Sequence, residues 1–169
     1  FPDDPDWAGG SLEVDERAAV VDADPQSLWS VIEGIGGAHG WYSWRLGWGA
    51  RGVMDRVFGG PGLRRGRRDP HRLAVGDALD WWRVEKIEPG RQLRLRAEMR
   101  LPGLAWLELA VEEVDGATVF RQRAIYHPRG LLGQAYWWAV YPFHGIVFGG
   151  MQRNIARAAE AAACTRAGV

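Results

Sequence analysis

The sequence predicts an α+β fold in which an antiparallel meander sheet wraps around a long C-terminal helix. Over residues 78–127, polar and apolar residues alternate with a period of two between short turn sequences, which is typical of antiparallel strands. Over residues 131–163, large apolar residues recur every three or four positions, which is typical of a helix. A sheet with one apolar face and a helix with an apolar stripe each need cover, so we expect them to pack together.

The chain before the meander is predicted to contribute a strand and a helix. Residues 1–10 carry Pro, Asp and Gly without periodicity and are interpreted as a leader or linker. Residues 12–21 are the first predicted strand. Asp24 is a residue type favoured at a helix N-cap and Pro25 suits the first helical position, so a helix is predicted from there to Gly34.

Glycine-rich and arginine-rich stretches follow this helix. Residues 34–40 look like a nucleotide-binding loop, but His39 stands where the last glycine belongs and a helix precedes the segment where a strand is required. We therefore interpret it as a connection between helices. Residues 51–58 are predicted as a short helix and residues 59–72 as a loop. The arginines of residues 64–72 are either solvated or dock an acidic group.

Four long strands are predicted in the meander, over residues 78–88, 92–101, 104–114 and 118–127. The links between them are the turn-forming pairs Pro89-Gly90, Pro102-Gly103 and Asp115-Gly116. Because links this short cannot cross over the sheet, consecutive strands must be antiparallel neighbours.

Side-chain pairing predicts the register of two hairpins. A two-residue loop at 115–116 brings apolar residues together and joins opposite charges, pairing Val111 with Phe120, Leu107 with Ala124, and Glu108 with Arg123. A two-residue loop at 102–103 would oppose Arg96 and Leu109, which suits neither face of a sheet. An odd-length loop or a bulge is therefore predicted near Gly103.

This pairing predicts one dry and one wet face for the sheet. The dry face is expected to hold Trp82, Val84, Leu93, Leu95, Ala97, Met99, Leu107, Leu109, Val111, Phe120, Gln122, Ala124 and Tyr126. The wet face is expected to hold Arg94, Arg96, Glu98, Glu108, Glu112, Arg121 and Arg123, with Trp81 and Trp106 also outward. A buried Gln122 amide needs partners, for which Tyr126, His144, a water or a ligand are the candidates.

The C-terminal helix is predicted to bury one stripe, made of Trp137, Tyr141, His144, Phe148, Met151 and Ile155. Pro142 lies inside it, so either the helix kinks there or a new helix starts there. No charge occurs between Arg129 and Arg153, a run long enough to span a bilayer. Its polar residues disfavour a membrane span, so a packed helix is predicted.

The length, net charge, and cysteine and histidine content of the chain argue against several classes of function. The 169 residues suit one domain, predicted over residues 11–165, and a net charge of zero argues against a dedicated nucleic-acid binder. Cys164 is the only cysteine, which excludes a disulfide framework and suits a cytoplasmic protein. The four His residues are too dispersed to predict a metal site, and no cofactor is expected.

The element order resembles the helix-grip fold of the START-like superfamily, which includes birch-pollen-allergen relatives, polyketide cyclases and lipid-transfer domains. Four segments are closer to an uncharacterised bacterial domain family: Trp81-Trp82-Arg83-Val84-Glu85, Leu95-Arg96-Ala97-Glu98-Met99, His127-Pro128-Arg129-Gly130-Leu131 and Pro142-Phe143-His144-Gly145. The resemblance implies a cavity between the sheet and the long helix. It also implies an upstream short-chain-dehydrogenase-like, NAD(P)-binding domain as a partner, and it identifies no residue of this chain as catalytic.

The leading hypothesis is a module that binds a small hydrophobic or aromatic molecule in that cavity. The residues predicted to line it are Trp82, Met99, Gln122, Tyr126, Trp137, Tyr141, His144 and Phe148. One alternative is an autonomous lyase, cyclase or hydrolase that uses His144 or Tyr126, although no G-x-S-x-G or H-E-x-x-H motif is present. Another is an interaction domain or homodimer that uses Trp81 and Trp106 as surface residues.

Overall fold

A computed structural model describes residues 12–36, 40–42, 67–69 and 72–168 of the chain. Its elements are β1 (Glu13–Val21), α1 (Pro25–Glu33), β2 (Ala78–Leu79), β3 (Trp82–Glu88), β4 (Gln92–Ala97), β5 (Gly103–Val114), β6 (Ala117–Pro128) and α2 (Gly130–Ala167). The helix predicted over residues 51–58 lies outside the described residues, as do parts of the 34–40 and 59–72 segments.

Helix α1 begins and ends on side-chain hydrogen bonds. The Asp24 carboxylate accepts from the backbone N–H of Ser27 at 2.9 Å, which confirms the predicted N-cap. At the other end, Arg67 Nη1 donates to the carbonyls of Glu33 and Ile35, both at 2.8 Å. Arg68 pairs with Asp77 at 2.8 Å. These two arginines of the 59–72 segment therefore bind the protein itself.

The strands form one six-stranded antiparallel sheet in the order β1-β6-β5-β4-β3-β2. The last hairpin has the predicted register, with Val111 opposite Phe120 and Glu108 opposite Arg123. At the β4–β5 connection Arg96 pairs with Trp106, which leaves an odd number of residues between the partners and confirms the odd-length loop.

The predicted strand over residues 78–88 is wrong, because two strands occupy it. The chain turns at Asp80 and Trp81 between β2 and β3, and Asp80 adopts the left-handed conformation with φ at 55°. The Asp80 carboxylate accepts a hydrogen bond from Trp41 Nε1, so a long-range contact holds the turn. The strand predicted over residues 92–101 also ends early, at Ala97.

The prediction of a wet outer face is wrong at its centre. Arg94, Glu108 and Arg123 are only 8%, 2% and 6% exposed. They belong to a row of alternating charges across four strands, in which Arg94 pairs with Glu108 (2.6 Å), Glu108 with Arg123 (3.1 Å) and Arg123 with Glu16 (3.1 Å). Trp81 and Trp106 are also buried rather than on the surface, at 1% and 5% exposed.

Helix α2 contains 38 residues and continues through Pro142, so the alternative of a new helix at Pro142 is wrong. It runs parallel to β1 and antiparallel to β6, since its early residues meet Glu13 and Tyr126 and its late residues meet Asp22. From Phe148 onward it contributes Phe148, Met151, Ile155 and Ala159 to the main core, together with α1 and the inner face of the sheet. The described helices include none with the length and hydropathy needed to cross a membrane.

Candidate functional site

An aromatic cluster lies where the first half of α2 crosses β6 and β1. Its members are Tyr126, Tyr136, Trp137, Tyr141, His144 and Phe148. Trp137 stacks on Tyr126 with ring centroids 5.8 Å apart and planes 13° from parallel. The edge contacts of His144 with Trp137 and with Phe148 both have centroid distances of 4.8 Å. The cluster is continuous from the sheet to the helix.

Local sequence explains this placement. Trp137, Tyr141, His144 and Phe148 follow one another at spacings of four, three and four, so they share one face of the helix. Tyr126 lies on β6 two residues from Ala124, which faces the helix side of the sheet with it.

The cluster reaches solvent at one end. Tyr141 is 51% exposed, so its predicted place in the buried stripe is wrong, and its neighbour Trp138 is 64% exposed. Gly145 adds to this opening, because a Cβ placed on it would meet no atom within 4 Å. The aromatic surface therefore extends from the sheet to the outside of the protein.

Tyr126 and the residue before α2 both form hydrogen bonds to the loop before β5. The Tyr126 hydroxyl donates to the Pro102 carbonyl at 3.0 Å, and the same carbonyl accepts from Arg129 N–H at 2.9 Å. Burial, with a contribution from Tyr136, raises the pKa of Tyr126 to about 12. A hydroxyl that is protonated at neutral pH and already donating to the protein is poorly suited to be a general base.

His144 is held in its neutral form. Its Nδ1 lies 3.9 Å from the Asp15 carboxylate, beyond hydrogen-bond distance. Burial lowers the pKa of His144, Arg17 lowers it further, and Asp15 opposes both. Of the two residues considered for catalysis, His144 is the one whose Nδ1 has no hydrogen-bond partner in the described chain, whereas the Tyr126 hydroxyl is already bonded.

Gln122 is 1% exposed, and only one of the two polar atoms of its amide group has a hydrogen-bond partner in the described chain. Its Nε2 donates to the Phe148 carbonyl at 3.2 Å, whereas its Oε1 has no hydrogen-bond partner within the described chain. Tyr126 and His144 are thus not its partners. Gln122 faces Arg17 in the register of β1 and β6, and Arg17 in turn donates to Asp15 at 3.0 Å.

Sequence reasoning missed Asp15 and Arg17. The apolar residues of β1 do not mark its buried side, because Val14 and Val20 are 40% and 72% exposed. The charged residues Glu13, Asp15 and Arg17 alternate with them and lie toward the helix. The signal was the strict alternation itself, and its phase becomes clear only when β1 pairs with β6.

Six of the eight predicted ligand-binding residues meet at this site. The other two, Trp82 and Met99, lie elsewhere on the inner face. Trp82 is on β3, three strands from β6, and packs against Trp41 at a centroid distance of 6.1 Å. Met99 packs against the main core beyond the end of β4.

Other features of the described residues do not add to this site. A surface depression of about 440 Å³ lies between Pro25, Arg91 and the end of β5, and Glu112 and Glu113 help to line it. Across the described part of the chain, no three His, Cys, Asp or Glu side chains form a group able to hold a metal ion.

Residues 7–151 match the model of a family described as protein of unknown function (DUF2867). The chain belongs to this family. No curated protein matches it.

Solved structures show the fold of this DUF2867 chain. Norcoclaurine synthase from Thalictrum flavum is 14% identical with a TM-score of 0.51, over 87% of this chain and 86% of that chain. A truncated form of the same synthase has a TM-score of 0.50 at 14% identity, over 87% of this chain and 92% of that chain.

A third similar structure is the di-domain ARO/CYC StfQ from the steffimycin biosynthetic pathway. It is 13% identical with a TM-score of 0.51, and the match covers 94% of this chain and 52% of StfQ. These likenesses confirm the predicted α+β helix-grip fold of the Bet v 1/START-like type.

Proposed function

We propose that this domain binds a small hydrophobic or aromatic molecule between the sheet and the first half of α2. The observation that carries the proposal is the continuous aromatic cluster, which is buried at Tyr126 and Trp137 and open to solvent at Tyr141. Small-molecule sites are typically apolar surfaces with a few polar groups, and His144 and Gln122 supply such groups here.

The fold supports this proposal without carrying it. The similar structures include a synthase and an ARO/CYC protein of a biosynthetic pathway, so this fold accommodates proteins named for small-molecule chemistry. A fold hosts many functions, and the choice of ligand binding here rests on the cluster.

The finer context of the function is part of the proposal. The sequence resemblance leads us to propose that the domain presents its ligand to a dehydrogenase-like, NAD(P)-binding domain of the same protein. The cytoplasmic location stays a prediction. The homodimer also stays a prediction. Trp81 and Trp106, which were expected on the surface and proposed to form its interface, are buried.

Native mass spectrometry of freshly purified protein, compared with the denatured sample, tests ligand binding directly. We expect added mass that is lost on denaturation. Trp137→Leu should lower the bound fraction about tenfold because it removes the ring that stacks on Tyr126. Trp29→Leu is the matched control, since Trp29 is a buried tryptophan of α1 that donates to Glu33. Equal loss in the two folded variants would contradict the proposed site.

A further inference from the structure

In addition to Nδ1 of His144 within the aromatic cluster, three buried polar atoms beside the cluster have no hydrogen-bond partner in the described chain. They are Nε of Arg17, Oε1 of Gln122 and Nε2 of Gln152. A buried polar group without a partner is rare and destabilising, so three of them in one region need an explanation.

The strand register of Arg17 and Gln122 and the helix position of Gln152 place these side chains in one region. Arg17 and Gln122 are directly opposite residues of β1 and β6, so their side chains project from the same face. Gln122 Nε2 reaches the Phe148 carbonyl, and Arg17 Nη1 lies 3.3 Å from the position of a Cβ on Gly149. Gln152 lies one turn after Phe148, and helical side chains lean toward the N-terminus, which directs it back over this turn.

The hydrogen-bonding character of the Gln122 and Arg17 atoms is fixed, and Gln152 presents its amide nitrogen in this structure. A carbonyl can accept only from the amide nitrogen of Gln122, so the bond to Phe148 leaves Oε1 as an acceptor. Arg17 Nε and Gln152 Nε2 are donors. The region therefore offers two donors and one acceptor to whatever binds there.

A hydroxyl group complements this set, because it has one O–H donor and two acceptor lone pairs. A carboxylate would place an oxygen without a proton against Gln122 Oε1 and near Asp15, and an ammonium would lie against the Arg17 guanidinium. An alkyl group would leave all three atoms unsatisfied. Of these four groups, only the hydroxyl satisfies two donors and one acceptor at once.

The region is connected to the opening of the aromatic cluster. His144 Nδ1 lies 3.9 Å from the Asp15 oxygen that accepts from Arg17, and His144 contacts Trp137. The Arg17 side chain is 31% exposed, and the space at Gly145 is open. A small molecule with rings against the exposed Tyr141 end of the cluster could therefore place a polar substituent near Arg17.

We infer that the ligand is a phenol or alcohol, whose apolar part packs on the aromatic cluster at its exposed Tyr141 end and whose hydroxyl binds Arg17, Gln122 and Gln152. The hydroxyl oxygen accepts from Arg17 Nε and Gln152 Nε2, and its proton is donated to Gln122 Oε1. This inference rests on the proposed function, because it names the class of molecule for the same site.

Calorimetric titration with naphthalene, 2-methoxynaphthalene and 2-naphthol tests the inference. The three share one ring system, whereas the methoxy oxygen only accepts and the hydroxyl both accepts and donates. We expect 2-naphthol to bind at least about tenfold more tightly than either of the others, since only it satisfies Gln122 Oε1.

Two variants locate the effect. Gln122→Met should bring 2-naphthol down to the affinity of naphthalene while naphthalene binding is retained, because methionine keeps the volume without the acceptor. Gln134→Met is the matched control: Gln134 lies on α2, away from the three atoms, and donates to Glu13, so its variant should keep the preference. If Gln122→Met does not fold, Arg17→Met should also reduce the preference.

The outcomes separate the two proposals. Equal binding of all three compounds to the wild type would overturn the hydroxyl inference and leave the aromatic site in place, as expected if an ordered water satisfies the three atoms. The hydroxyl inference would also be overturned if both Gln122→Met and Arg17→Met still preferred 2-naphthol. Binding of none of the three compounds would overturn the proposed function together with the inference.

Discussion

The two halves of α2 differ in composition and in surroundings: the first half has no charged residue, whereas the second carries Arg153, Arg157, Glu160 and Arg166. In the second half, Met151, Ile155 and Ala159 are completely buried against α1 and the sheet. In the first half, large apolar side chains lie on both sides of the helix, and Trp138 and Ile146 are 64% and 65% exposed. An apolar surface beyond what the core requires marks the half that carries the candidate site.

Length contributes to this difference. A helix of 38 residues is about 57 Å long, whereas the longest strands, with 12 residues, extend about 40 Å. The helix is longer than the strands it follows, so part of it must extend beyond their cover. The structure leaves the first half less covered, where Leu131 and Leu132 are 90% and 79% exposed.

Two isoleucines measure this contrast most directly. Ile155→Ala removes a completely buried side chain and should lower the free energy of unfolding by about 2–5 kcal/mol. Ile146→Ala, nine residues earlier on the same helix, should change it by no more than about 0.5 kcal/mol. Urea unfolding of both variants checks the prediction. Comparable losses would mean that the first half is as well packed as the second.

Substituting alanine for either of two glycines in the first half of α2 should change the stability of the fold in opposite directions. A Cβ on Gly133 would collide with the Pro102 carbonyl and approach Pro128 Cα at 2.9 Å, so Gly133→Ala should destabilise the fold by about 1–3 kcal/mol. Gly145 has open space and should gain up to about 1 kcal/mol on substitution with alanine, because alanine favours the helix.

Thermal unfolding of the two glycine variants distinguishes these effects. The wild type is the reference, and Gly133→Ala should melt below it and Gly145→Ala above it. A stabilised Gly133→Ala would show that the helix start is not held tightly against the loop before β5. A destabilised Gly145→Ala would show that the opening beside the aromatic cluster is closed.

The smallest expected effect is the pH dependence of His144. Its folded pKa lies below the unfolded value of about 6.5, so the unfolded state binds the proton more readily. The resulting stabilisation is present above about pH 6.5 and is lost as pH falls through the lower folded pKa. The melting temperature of the wild type should therefore fall more on acidification than that of His144→Gln. His127→Gln provides the control, and identical slopes for wild type and His144→Gln would contradict the assignment.

Much of the fold could be predicted because the decisive interactions are local or pairwise. Asp24 and Pro25 identify the start of α1 through residue types alone. The register of β5 and β6 follows from the turn at Asp115-Gly116 and from the pairs on each side of it. In these places the chain neighbours of a residue determine its structure.

The remaining features depend on contacts between distant residues. The break between β2 and β3 involves a hydrogen bond from Trp41 to Asp80, which a period-two pattern cannot reveal. The burial of Arg94 on the outer face contradicts the usual position of arginine and follows from the row of charges around it.

The candidate site was predicted in part for the same reason. Periodicity identified the helix residues from Trp137 to Phe148, although it could not indicate that Tyr141 turns to solvent. Asp15 and Arg17 become part of the site only through the pairing of β1 with β6. Whether the predicted residues bind a ligand stays a prediction.

The row formed by Glu16, Arg123, Glu108 and Arg94 links four strands through consecutive ion pairs, so the charge required at each position depends on its neighbours in the row. Reversing the sign at Glu108 alone would create repulsion with both of its neighbours in a buried setting. Reversing all four would restore attraction at each contact. Substitutions in this row are therefore expected to occur together during evolution, as a joint exchange of signs among positions up to 107 residues apart in the chain.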